Sequence, residues 1–145
     1  MLQAKDIAFE WYDAWILYAV LLSARPDEYA PLDAIIGSAD YINHAIPTSG
    51  ELDGALSRLI ENGWVEQSNL SFAPSGKAES MFAKRRTGRT SVPTDLEFVR
   101  KQMGAGRFNS QCSIPKDPEV FLVKGLNDAV IESAYDAYKK RARSV

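Results

Sequence analysis

Two single residues are the candidates for covalent or metal chemistry: His44 and Cys112, the only histidine and the only cysteine among 145 residues. A cysteine nucleophile needs a base beside it, and a metal site needs several ligands at short spacing. These two residues lie 68 positions apart, and neither has metal-ligand spacing to other residues. We therefore expect no enzyme, no metal and no cofactor, and we assign His44 to a helix end.

The chemistry that remains is the binding of phosphate by cations. Lys84, Arg85, Arg86 and Arg89 place four cations within six residues, which is typical of a phosphate clamp. At the end of a helix, the same side chains can instead stabilise the helix dipole and keep the surface solvated. The sequence leaves both interpretations open.

Charge is distributed unevenly along the chain. Residues 1–76 carry three Lys/Arg and eleven Asp/Glu, a net charge of −8, whereas residues 77–145 have a net charge of +6. A single cysteine cannot form an internal disulfide, so we expect a cytoplasmic protein. The apolar run at residues 14–22 follows acidic residues and is far shorter than the ~20 residues that span a bilayer. We predict a buried helix there and no membrane partner.

The elements that would position phosphate-binding residues are clearest at residues 48–78. Thr48 and Glu51 have the spacing of a capping box, and leucines recur at helical spacing up to a left-handed stop at Gly63. After this helix, "WVEQ" and "LSFA" flank Ser68-Asn69, which predicts a two-residue hairpin turn. The pattern predicts a helix, a sharp stop, a short hairpin and a further helix.

Two motifs in this stretch, "RLIENGWVE" and "FAPSGKA", carry a resemblance to the winged-helix core of bacterial MarR-like and PadR-like transcriptional regulators. The resemblance covers roughly residues 7–86 and implies a winged-helix domain at 1–86. The expected fold class is α+β, mostly α, with a short two-stranded wing. In such regulators the helix equivalent to residues 48–62 enters the major groove of double-stranded DNA. Ala73 stands where the family has a threonine that caps the next helix.

The resemblance assigns candidate DNA contacts to the third helix, the wing and the cationic cluster. They are Ser49, Gly54, Ser57, Arg58, Ser68, Asn69, Lys84, Arg85, Arg86 and Arg89. The outward face of the third helix is expected to comprise Gly50, Asp53, Gly54, Ser57, Arg58 and Glu61, with only one cation. This acidic face favours an alternative, a winged-helix protein-interaction module that binds a basic protein partner and not DNA.

The first helix is expected to begin at Asp6 and to be apolar on nearly every side, which indicates a homodimer or a covering C-terminal helix. Related regulators bind small aromatic compounds beside this helix, so Trp11, Trp15 and Tyr18 are candidate pocket residues, with the core as the other interpretation.

Residues 87–145 are expected to form a C-terminal helical extension, packed on the domain or on a dimer partner. We predict a helix capped by Thr94 and Glu97, a short helix or a strand in "DPEVFLVKG", and a last helix from Asn127.

Overall fold

A computed structural model of the chain describes residues 8–85, 88, 90–108 and 115–143. This part of the protein is α+β and mostly helical, which confirms the α+β, mostly α part of the expected fold class. The elements are α1 (Trp11–Ser23), β1 (Ala30–Pro31), α2 (Leu32–Asn43), α3 (Ser49–Glu61), β2 (Val65–Ser68), β3 (Ser71–Pro74), α4 (Gly76–Ala83), α5 (Val92–Met103) and α6 (Asp128–Arg143). Among these helices none is long and apolar enough to cross a membrane.

The three strands form one antiparallel sheet in the order β1-β3-β2. β2 and β3 pair from Val65 opposite Pro74 to Ser68 opposite Ser71. On the other edge of β3, Ala30 of β1 lies opposite Phe72. Because β1 precedes α2 and the hairpin follows α3, this small sheet joins the two ends of the α2–α3 pair.

The core is centred on α1, whose residues 13–20 are all buried. α2, α3, α5 and β3 pack around this helix. Trp15 is 1% exposed and donates its indole N–H to the Ala39 carbonyl at 2.9 Å. Other elements of the same chain therefore cover the apolar sides of α1. The apolar character of this helix no longer favours a homodimer.

Several element boundaries differ from those predicted. α1 begins at Trp11, well after Asp6, because the Asp13 carboxylate accepts the Glu10 N–H at 2.8 Å and closes the helix start there. α5 begins after Ser91, not after Thr94, since the Ser91 hydroxyl accepts the Thr94 N–H at 3.2 Å.

The hairpin and the start of α4 also differ from the prediction. Pairing of Ser68 with Ser71 makes Asn69 and the next residue the turn, and Asn69 has a φ of 54°. α4 is capped by Ser75, whose hydroxyl accepts the Ala78 N–H at 3.2 Å. Ala73 lies in β3, so it does not occupy a cap position.

The C-terminal helices pack on the same core, α5 against α1 and α6 against α2. α6 begins as predicted, after Asn127, whose side-chain oxygen accepts the Val130 N–H at 2.9 Å. Residues 115–127 contain neither helix nor strand, so the prediction of a short helix or strand in "DPEVFLVKG" is wrong. The reason is that the N–H groups of Leu122 and Val123 donate to Asp53 on α3.

Candidate nucleic-acid interface

The ends of α3 are fixed by local chemistry, as predicted. Thr48 accepts the Glu51 N–H at 3.1 Å, and Glu51 accepts the Thr48 N–H at 2.9 Å. At the other end Gly63 has a φ of 76°, and the Trp64 N–H donates to the Leu59 carbonyl at 2.9 Å, as in a Schellman motif. A well-defined helix therefore stands where the resemblance places the DNA-reading helix.

The outward face of α3 is not open, which corrects the expectation for Gly50 and Asp53. Asp53 is 2% exposed, and its carboxylate accepts the N–H of Leu122 at 3.0 Å and that of Val123 at 2.9 Å. A Cβ on Gly50 would lie 2.5 Å from the Lys116 carbonyl oxygen, so the two backbones are in direct contact. We call residues 115–126 the covering segment.

The other candidate contacts on α3 are at most half exposed. Ser49, Gly54 and Ser57 are half-buried, and Glu61 is the first exposed residue of the helix. The Tyr135 hydroxyl of α6 donates to the Pro47 carbonyl and so holds α6 against the chain just ahead of α3. The N-terminal turns of α3 therefore lie within the fold.

Arg58 points towards α1. Its guanidinium donates to Asp13 through Nε at 2.9 Å and Nη2 at 2.8 Å, and Nη2 also reaches the Tyr12 hydroxyl at 2.8 Å. Burial raises the pKa of the Asp13 carboxyl, and the hydrogen bonds and charge of Arg58 oppose that rise. For Arg58, burial lowers the pKa, but the hydrogen bond and charge of Asp13 outweigh it and leave the pKa above its ordinary value. Arg58 is thus committed to a contact between α3 and α1.

The hairpin presents Ser68 and Asn69 at an exposed tip. The Gln67 amide donates to the Asn69 carbonyl at 2.6 Å and to the Lys124 carbonyl at 2.8 Å. A Cβ on Gly125 would lie 3.4 Å from Leu70. The turn end of the hairpin is therefore tied to the same covering segment as α3 through Gln67 and Leu70, while Ser68 and Asn69 stay exposed.

The described part of the cationic cluster lies at the end of α4. Lys84 is exposed, whereas Arg85 stacks on the Phe82 ring at 3.7 Å and lies 3.8 Å from the Asp95 carboxylate. Arg86 and Arg89 lie outside the described residues. Of the described pair, Lys84 is the cation better placed to meet a phosphate.

The candidate pocket residues pack inside the protein. Trp15 and Tyr18 are both 1% exposed. Trp11 lies against Trp15, with ring centroids 5.7 Å apart, and against Phe108 at 4.9 Å. Trp15 and Tyr18 match the core interpretation, and Trp11 is partly buried and packs against the core.

The two residues with potential covalent or metal chemistry have different outcomes. His44 ends α2 with a φ of 56°, as the prediction of a helix-end residue requires. Cys112 lies outside the described residues, so the structure does not test it.

Comparison of the chain with protein-family models, with curated proteins and with solved structures gives no match.

Sequence reasoning missed the contact between Asp53 and the covering segment. A signal was present: glycine inside a helix costs roughly 1 kcal/mol relative to alanine, so Gly50 indicates a close approach by another backbone. The partner of that approach could not be read from the sequence, because it lies more than 60 residues further along the chain.

Proposed function

We propose that this protein is a winged helix-turn-helix that binds double-stranded DNA as a transcriptional regulator. The observation that carries the proposal is the arrangement of α2, α3 and the hairpin, with β1 on the free edge of β3. In a helix-turn-helix the second helix enters the major groove, and a following hairpin can contact the adjacent backbone. On this proposal α3 reads DNA and the β2–β3 hairpin is the wing.

The electrostatic part of DNA affinity has few sources near α3. Arg58 is paired with Asp13, and residues 65–74 contain no Lys or Arg. Phosphate neutralisation supplies essentially all non-specific affinity, with a slope of log affinity on log salt of about −0.9 per phosphate neutralised. On this proposal the cluster that begins at Lys84 supplies most of this term, and Lys77, whose Nζ donates to the Asn62 carbonyl at 3.2 Å, is a further exposed cation near the end of α3.

The test is fluorescence anisotropy with a mixed-sequence duplex, started at about 50 mM salt and repeated at higher salt. We expect weak binding and a salt slope that becomes shallower by about 0.9 in Lys84→Ala. Lys139→Ala is the matched control, because it removes an exposed cation from α6. Equal slopes in both variants would place the DNA elsewhere on the protein. Absence of binding by the native chain and also by variants that expose α3 would overturn the proposal.

The alternative, a protein-interaction module without DNA binding, is favoured by the lack of an unpaired cation on α3 and on the β2–β3 hairpin, because Arg58 is paired with Asp13 and residues 65–74 contain no Lys or Arg. It would need a surface other than the acidic face first expected, because Asp53 is buried and Glu51 caps the helix. Failure of DNA binding in the assay above would favour this module.

A homodimer remains part of the proposal by analogy with MarR-like and PadR-like regulators. A dimeric reader places its two recognition helices about 34 Å apart on one face. Sedimentation of the native chain at micromolar concentration tests this, and a monomer would remove the dimer from the proposal.

A further inference from the structure

The covering segment crosses the surface that a bound duplex would occupy. At one end the Lys116 carbonyl lies on Gly50, and in the middle two N–H groups donate to Asp53. At the other end the Lys124 carbonyl accepts from Gln67 of the hairpin. One stretch of chain therefore spans the distance from the first turns of α3 to the wing.

We infer that residues 115–126 are an intramolecular cover that blocks DNA from α3 and must be displaced before the helix can enter a major groove. This inference rests on the proposed DNA-binding function. A recognition helix reads bases with residues of its N-terminal half. In α3 that half has no exposed residue while the cover is in place.

The cover is held by few contacts for its length. Seven of its twelve residues are exposed, among them Val120 at 80% and Leu122 at 71%. Val123 and Leu126 are its buried side chains. Segments with few buried apolar contacts and no secondary structure open at lower free energy than the global unfolding of a domain. The cover can therefore open while the core around α1 stays folded.

Displacement of the cover also frees a side chain that can take part in recognition. With the cover in place, both Asp53 oxygens accept backbone N–H groups. Once these donors leave, the carboxylate can accept a hydrogen bond from the amino group of cytosine, a known pairing in the major groove. The cover and a base would then compete for the same acceptor.

The variant that tests the inference without changing charge is Gly50→Ala. Its Cβ would lie 2.5 Å from the Lys116 oxygen and 2.8 Å from the Pro115 oxygen, so the covering backbone must move. The control is Gly76→Ala in α4, where an added Cβ has nothing within 4 Å. Both variants replace a helical glycine by alanine, so they share the gain in helix propensity.

Two measurements on each variant separate the outcomes: hydrogen exchange at the Val123 amide, and anisotropy with a mixed-sequence duplex at about 50 mM salt. In Gly50→Ala we expect faster exchange and about fivefold tighter binding, because a larger fraction of molecules is competent to bind. Gly76→Ala should match the native protein in both. A second opening variant, Leu122→Pro, removes one N–H donor to Asp53 at an exposed position and should behave like Gly50→Ala.

Each other result has a definite meaning. Faster exchange with unchanged affinity, in a native protein that binds DNA, overturns the cover and leaves the proposed function standing. Unchanged exchange in both opening variants also overturns the cover, since the segment is then not displaceable. If the native chain and both opened variants all fail to bind, the DNA-binding function is overturned and the cover with it.

Discussion

The Arg58 guanidinium lies against the buried Asp13 carboxylate, with Nη2 and Oδ1 2.8 Å apart, and so joins the third helix to the first. Asp13 also accepts the Glu10 N–H at the start of α1. One carboxylate therefore fixes both the beginning of α1 and the position of α3.

Arg58→Met would leave the Asp13 carboxylate buried without its cation. We expect a loss of about 2 to 4 kcal/mol in the free energy of unfolding. This is somewhat below the value for a fully buried pair, because the Arg58 side chain is 31% exposed. Urea denaturation at neutral pH measures the loss. The control Arg25→Met, at an exposed position, should stay within about 0.5 kcal/mol of the native protein.

The loss in free energy of unfolding caused by Arg58→Met should depend on pH. Burial raises the pKa of Asp13, and removal of Arg58 takes away the main opposing cause. A carboxyl with a folded pKa above its unfolded pKa destabilises the fold when ionised, and this effect fades as pH falls from the folded pKa to the unfolded value. The difference between variant and native protein should therefore shrink in acid. A difference that grows in acid would contradict the burial of the carboxylate.

Ser75→Ala should weaken the start of α4. The lost acceptor for the Ala78 N–H predicts a decrease of about 1 kcal/mol in the free energy of unfolding. Ser80→Ala, at an exposed position within the same helix, is the control and should have little effect.

Ala73→Thr should bring no capping gain, because Ala73 pairs with Glu66 in the hairpin. A clear stabilisation by Ala73→Thr would show that the cap lies earlier than the structure places it.

Ionisation of Tyr18 should lower the stability of the protein at alkaline pH. Burial, helped by the charge of Asp95 and the hydrogen bond to it, raises the pKa of Tyr18 to about 12. Because the folded pKa exceeds the unfolded value, the stability contributed by the neutral phenol is fully present below pH 10 and is lost as pH rises through 12. The loss amounts to roughly 2 to 3 kcal/mol.

Ultraviolet titration of the tyrosines, combined with denaturation across this range, measures the step. Tyr18→Phe should remove the last phenol to ionise and reduce the alkaline loss of stability, of which a part remains because the pKa values of Tyr12, Tyr135 and Tyr138 are also raised. Tyr41→Phe, which removes a phenol at a 67% exposed residue, should keep both. A last ionisation that survives in Tyr18→Phe would assign it to another tyrosine.

The sequence predicted those features that depend on neighbouring residues. Thr48 with Glu51, Gly63 and Asn127 set helix ends through contacts three to five residues away, so spacing alone identified them. Where two nearby residues could both cap the same helix, residue spacing did not decide between them. Ser91 and Thr94 are both good N-cap residues, and the helix begins at the earlier one.

The candidate site was less predictable, because its contacts join distant parts of the chain. Arg58 and Asp53 both lie on α3. The Arg58 guanidinium donates to Asp13 on α1, whereas the Asp53 carboxylate accepts the N–H groups of Leu122 and Val123, much further along the chain. Helical spacing placed both on the outward face, since it gives the direction of a side chain and says nothing about which other segment packs there.

The distance along the chain between α3 and its cover has a consequence for biosynthesis. The cover ends 65 residues after the end of α3, so at about 5–20 residues per second it is complete roughly 3 to 13 s after the helix that it covers. Contacts that close so long a loop form late in folding, whereas α1, α2, α3 and the hairpin depend mainly on shorter-range contacts. During this interval, Gly50 and Asp53 of a nascent chain are exposed to solvent and to any nucleic acid or chaperone nearby.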